Sequence, residues 1–224
     1  MFDNKLAKQN RRSGQLKRPR STRNSYDRIL IVSEGSKTEP QYFKEIRSAY
    51  RLNTANIQIY HSNKTDPLSV VNYAENLFKE GNPHKQIKSG AFEQVYAIFD
   101  RDEHTTYFEA INKAQLLNNA MKNDLGQNIV FCAIPSIPSF ELWLLLHFKD
   151  ILAPLHRTHA FEQVKLYIPN YTKGADKIFE FTKQYLDTAC KRAEELSKSL
   201  TVHVNEKPYT AIHKLVKILQ ELKK

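Results

Sequence analysis

At 224 residues and 41% apolar content, the chain has enough material for one sizeable core plus an appended subdomain, which excludes a disordered polypeptide. Its two cysteines, Cys132 and Cys190, have neither pairing nor metal-ligand spacing, which excludes a disulfide scaffold and a zinc module. The formal net charge is +10, but residues 1–25 carry eight basic residues against Asp3 alone, a charge of +7 that leaves +3 for the remaining chain.

Residues 1–25 are polar, basic and nearly free of large apolar side chains, and are expected to form a disordered arm. The arm is either a solubilising tail or a phosphate-binding arm acting by counterion release. No apolar segment follows it, so a secretory signal is not expected. The longest apolar run, near Leu142–Phe148, falls well short of the ~18 residues of a membrane span, and a soluble cytoplasmic protein is the default expectation.

Ile29–Val32 reads as a buried strand that stops at Ser33-Glu34-Gly35, and helix-start residues follow at Ser36, Thr38, Glu39 and Pro40. Ile57–Tyr60 reads as a second strand, and Asp66-Pro67 opens a helix that Gly81-Asn82-Pro83 closes. A third strand, Val95–Phe99, runs into Asp100-Arg101-Asp102-Glu103-His104 and then a helix ending near Gly126. A fourth strand follows at Ile129–Ile134. This alternation predicts a parallel sheet with right-handed crossovers. Pro135, Pro138 and Pro154 bracket an apolar helix from Phe140 to Phe148. The rest reads as helices over Phe161–Ile168, Asp176–Leu200 and Thr210–Leu222, giving a body over 26–150 and a mainly helical part over 151–224. Asn205–Val216 reads as a capped packing helix without chemistry.

Two buried strands that each end in carboxylates point to an acidic pocket suited to a divalent cation. Glu34 stands at a strand's carboxyl end, where open α/β sheets gather ligands. Asp100 and Asp102 follow the third strand, and the chain has to bend after Phe99 for both to meet one ion. Two or three such carboxylates are what Mg²⁺-assisted phosphoryl chemistry uses. The alternative is that one or both aspartates cap the next helix.

The segments EGSKTE at 34–39, FDRDEH at 99–104 and PSFELWLLLHF at 138–148, in that order, resemble the RloB family, over nearly everything from Arg28 onward. The resemblance implies a Toprim-like (Rossmann-like) α/β fold with a central, mostly parallel four-stranded sheet and a helical C-terminal extension. It also implies a metal site in which Glu34, Asp100 and Asp102 hold Mg²⁺ (or Mn²⁺). The expected activity is that of a metal-dependent endonuclease, the effector of an anti-phage or abortive-infection module with an ATPase partner. RNA, including tRNA, and DNA both remain open as substrate, as does a homodimer. A non-catalytic regulatory or adaptor subunit that binds an ATPase or nucleic acid is the alternative.

Most of the remaining candidates carry two readings. Glu39 either completes a capping box with Ser36 or lies near the metals, as in similar Toprim nucleases. Glu141, in an otherwise apolar helix, should face a metal or pair with a base, because a lone buried carboxylate is expensive; Ser139 could assist it. Lys37 either contacts phosphate or is solvated, and Arg101 is a further candidate substrate contact. His104 is either an acid, base or substrate contact, or a residue of the helix start; Glu103 is a weak secondary ligand. Lys173, on the Tyr171–Gly174 turn, either stabilises developing phosphate charge or is a loop lysine. Gly35-Ser36-Lys37-Thr38 lacks the upstream glycine of a P-loop, so nucleotide binding of that kind is rejected.

Overall fold

The computed structural model describes residues 27–102, 104–198 and 207–223. The basic arm expected at 1–25 and Glu103 lie outside the described residues. Strands β1 (Ile29–Ser33), β2 (Ile57–His61), β3 (Gln94–Asp100), β4 (Val130–Ile137) and β5 (Tyr209–Thr210) form one sheet in the order β2-β1-β3-β4-β5. The first four are parallel to their neighbours and β5 is antiparallel to β4. The α/β, Rossmann-like expectation holds, with the sheet one strand larger than expected. Tyr209–Thr210, expected to be helical, forms that fifth strand by pairing with Ile137 and Ser136.

Helices α1 (Thr38–Ala49), α2 (Pro67–Glu80) and α3 (Tyr107–Leu117) link the parallel strands. Right-handed crossovers put α1 on one face of the sheet and α2 and α3 on the other. Accordingly α2 packs on β1, β3 and α3. Ile29, Leu30, Ile31 and Val32 are wholly buried because both faces of β1 are covered, which is why its sequence is a continuous apolar run instead of an alternating one. Asp66 caps α2 by accepting the Ser69 N–H at 2.9 Å, with Pro67 at the first helical position.

The apolar helix expected over 140–148 is regular only at α4 (Glu141–Leu145), after which tighter turns carry the chain to Phe148. Trp143, fully buried on α4, donates its indole N–H to the Tyr42 hydroxyl of α1 at 2.9 Å. Edge-on contacts of Tyr42 with Phe43, Phe140 and Phe179 complete that anchor.

Beyond α4 come α5 (Arg157–Tyr167), α6 (Ile178–Thr182), α7 (Leu186–Lys198) and α8 (Ile212–Glu221). The single helix expected from Asp176 to Leu200 is divided into α6, a 3₁₀ turn at Lys183–Tyr185, and α7. Its start is shifted because Lys177 is left-handed (φ 63°) and Glu45 of α1 accepts the N–H groups of Lys177 and Phe179 at 2.7 and 2.8 Å. Among the described residues no helix is long and apolar enough to cross a membrane.

Candidate active site

The winding direction of the sheet reverses between β1 and β3: from β1 the chain moves outward to β2, and from β2 it crosses back to β3. At such a reversal the loops leaving two neighbouring strands diverge to opposite faces and open a crevice. Glu34 is the first residue past β1, and Asp100 is the last residue of β3. The Asp100 N–H donates to Glu34 Oε2 at 3.2 Å, so the two strand ends are tied together at the crevice.

A cavity of about 440 Å³ opens there, and Glu34, Glu39, Asp100 and Glu141 all line it. Glu39, in the first turn of α1, is only 6% exposed. The expected capping box is not formed: Lys37 is the N-cap, and no side chain caps the helix. The Glu39 carboxylate packs instead against the preceding turn, close to Gly35. A Cβ on Gly35 would lie 2.2 Å from Glu39 Oε2, so only glycine admits this approach. Glu141 opens α4 at 5% exposure and accepts hydroxyl hydrogen bonds from Ser139 at 2.6 Å and Tyr171 at 3.3 Å. Each of its oxygens is thereby oriented without a basic partner.

Four acids in one cavity repel. Burial pushes the Glu34 carboxyl up to about 7, with the Glu39 charge adding and the Asp100 N–H and Arg157 pulling back. Asp100 is raised well above the usual carboxylate range by burial, then by Glu39, Glu141 and Glu34. Glu39 is raised by burial and by Glu141, against which Lys173 acts. These hard oxygen donors, crowded close enough to repel, fit Mg²⁺ or Mn²⁺. Among the described residues no three acidic, histidine or cysteine side chains stand as a finished ligand set. The fit lies in donor chemistry, not in a preformed cage.

Cations ring the same cavity: Lys37, Lys64, Arg157 and Lys173 are on its wall. The turn carrying Lys173 is fixed where the Gly174 N–H donates to Thr38 Oγ1 at 3.1 Å. His104 stands at the edge, its Nε2 3.9 Å from Glu34 Oε1. Asp102 is placed apart from the four acids. Its backbone is left-handed (φ 39°) and its carboxylate is ion-paired with Arg157, on the wall of an adjoining cavity. Arg101 lines that second cavity too, its guanidinium 5.5 Å from the ring centres of both Tyr107 and Phe108.

Sequence reasoning missed His61, Lys64 and Arg157. His61 ends β2, so the strand-end rule that found Glu34 and Asp100 would have found it. Its Nδ1 is buried with no hydrogen-bond partner among the described residues. Arg157 opens α5 in a stretch without a motif, and only folding brings it to the crevice. His147 and Phe148 are packing residues: the His147 ring lies 4.9 Å from Trp143, and Phe148 stacks on Tyr167 at 5.1 Å.

A protein-family model described as RloB-like protein matches residues 29–219. No curated protein and no solved structure matches the chain.

Proposed function

The chain belongs to the RloB-like family, and from that premise we propose that it is a divalent-metal-dependent endonuclease hydrolysing phosphodiester bonds of RNA, tRNA or DNA. The observation that carries this reading is the convergence of Glu34, Glu39, Asp100 and Glu141 in one cation-rimmed cavity at the switch point of the sheet. Those four residues would hold Mg²⁺ or Mn²⁺, which when bound neutralises the scissile phosphate and activates the attacking water.

The chain's own groups do the remainder. Ser139 and Tyr171 orient the Glu141 carboxylate, and the Asp100 N–H orients Glu34. Lys173 and Arg157 face the same space and bind phosphate oxygens, the planar guanidinium with two parallel donors. Lys37 and Lys64 hold the flanking backbone. His104, beside Glu34, delivers a proton to the leaving oxygen. Service as the effector of an anti-phage module with an ATPase partner belongs to the same reading and rests on the family resemblance.

A second reading is a non-catalytic subunit that binds an ATPase or nucleic acid. It is favoured by the Arg157–Asp102 ion pair, which keeps Asp102 away from the other acids. The test is cleavage of tRNA, single-stranded RNA and plasmid DNA with Mg²⁺ or Mn²⁺, with and without the ATPase. Asp100→Asn and Glu34→Gln should each reduce metal-dependent cutting by at least about 100-fold. Wild type that is inert on every substrate, even with the ATPase present, would hand the lead to the second reading.

A further inference from the structure

Beside the carboxylate cavity lies a second one of about 490 Å³, and Arg157 lines both. His104 is on the wall of the second, yet its Nε2 is 3.9 Å from Glu34 in the first. The two spaces are therefore one side chain apart, as phosphate and base are within a nucleotide. The walls of the second cavity differ in kind from those of the first. Ile137, Pro138, Leu155 and the ring of Phe108 supply apolar surface, while Arg101, His104 and His156 supply hydrogen-bonding groups. Phe108 is 43% exposed, so its ring is accessible from the cavity side. Among the described residues the wall's one acid is Asp102, and Arg157 neutralises it. The nuclease reading uses none of this apolar surface.

We propose that this second cavity receives the base of a nucleotide whose phosphate lies at the carboxylate site, so that the substrate is single-stranded or presents an extruded base. A flat heteroaromatic ring needs an apolar or aromatic face to stack on and polar groups around its edge, and this cavity offers both. Bases stacked and paired within a duplex cannot reach it. Arg157, at the junction, binds the phosphate that joins the two. The proposal rests on the nuclease reading only in taking the ligand to be nucleic acid.

The test is equilibrium binding of the full chain, in Ca²⁺ so that cutting does not intervene, to fluorescein-labelled single-stranded oligonucleotides and to abasic oligonucleotides of the same length. Wild type should bind the base-bearing strands roughly tenfold more tightly. Phe108→Ala should bring that ratio towards one, and Phe108→Tyr should preserve it. Phe108 is half-exposed, so these variants fold; circular dichroism checks that they do. Equal binding of both oligonucleotides by wild type, or a ratio that Phe108→Ala leaves intact, overturns the proposal. So does loss of ATPase-partner binding in Phe108→Ala with no nucleic-acid preference in wild type, which would make the cavity a socket for a protein side chain. A base preference without Mg²⁺-dependent cutting would sink the nuclease reading and keep the pocket; cutting without base preference would do the reverse.

Discussion

Asp100 and Asp102 are two positions apart and chemically identical, yet they have different environments. Asp100 ends β3 among Glu34, Glu39 and Glu141, whereas Asp102 turns through a left-handed backbone to meet Arg157. Like charges held together in a buried site cost stability that a cation restores. Asp100→Asn should therefore raise the metal-free melting temperature by about 2–4 °C, on the order of 1 kcal/mol for a chain of this size, while shrinking the stabilisation that Mg²⁺ brings. Differential scanning fluorimetry with EDTA and then Mg²⁺ reads both effects. A wild-type melting temperature indifferent to Mg²⁺ and Mn²⁺ would remove the metal from the site. The acids at strand ends were legible from the sequence because a buried apolar run that stops at a carboxylate is a local pattern. The pairing of Asp102 with Arg157, 55 positions away, is not local and left no trace in either segment.

At the scale of elements, the cavity depends on how the Lys173 turn and the start of α1 meet. Gly174 has φ 82°, and a Cβ there would lie 2.8 Å from Lys37 Cβ. Gly174→Ala should thus cost more than about 1 kcal/mol, since both the dihedral and the contact oppose it. It should also weaken cleavage by displacing Lys173 and Lys37, and urea denaturation beside the nuclease assay would separate the two effects. Asp66→Ala should cost about 1 kcal/mol through the lost cap on α2, with no comparable loss of cleavage at saturating substrate. Helices with long apolar periodicity were legible. The short strand β5 was not, because two residues carry no period and Tyr209–Thr210 pairs only where β4 offers an open edge. The division between α6 and α7 was equally hidden, since the carboxylate that caps α6 comes from Glu45 on α1.

At the scale of the whole molecule, pH and salt act through groups both inside the cavity and far from it. His147, buried at 2% exposure, is lowered to about 4 chiefly by burial, from an ordinary 6.5. Between those two values the unfolded chain binds more protons than the folded one, so stability rises with pH across that window. The contribution is whole above pH 6.5 and is lost as pH falls to 4, up to roughly 3 kcal/mol. His213 is lowered to about 4 for the same reason and adds in the same direction. Glu34, raised to about 7, acts with the opposite sign in metal-free protein, where stability falls as pH rises from 4.5 to 7. Urea unfolding of wild type against His147→Phe cancels that term: the difference should move against wild type as pH drops from 6.5 to 4. If the two curves stay parallel, His147 is not held neutral. For the eight basic residues of 1–25, replacement by glutamine should weaken nucleic-acid binding and flatten its dependence on salt, provided the arm touches phosphate.

The parallel α/β architecture is legible from the residues alone, because strand burial on two faces and helix amphipathicity are written in neighbouring residues. So is the placing of Glu34 and Asp100 at strand ends, since strand termini are local properties. Folding was needed to set which other acids join them, to bring Glu39 onto Gly35 instead of into a cap on α1, and to pair Asp102 with Arg157. Folding also set a second, half-apolar cavity against the first. Those outcomes depend on segments far apart in the chain, brought together by burying α4 and docking α5 beside it.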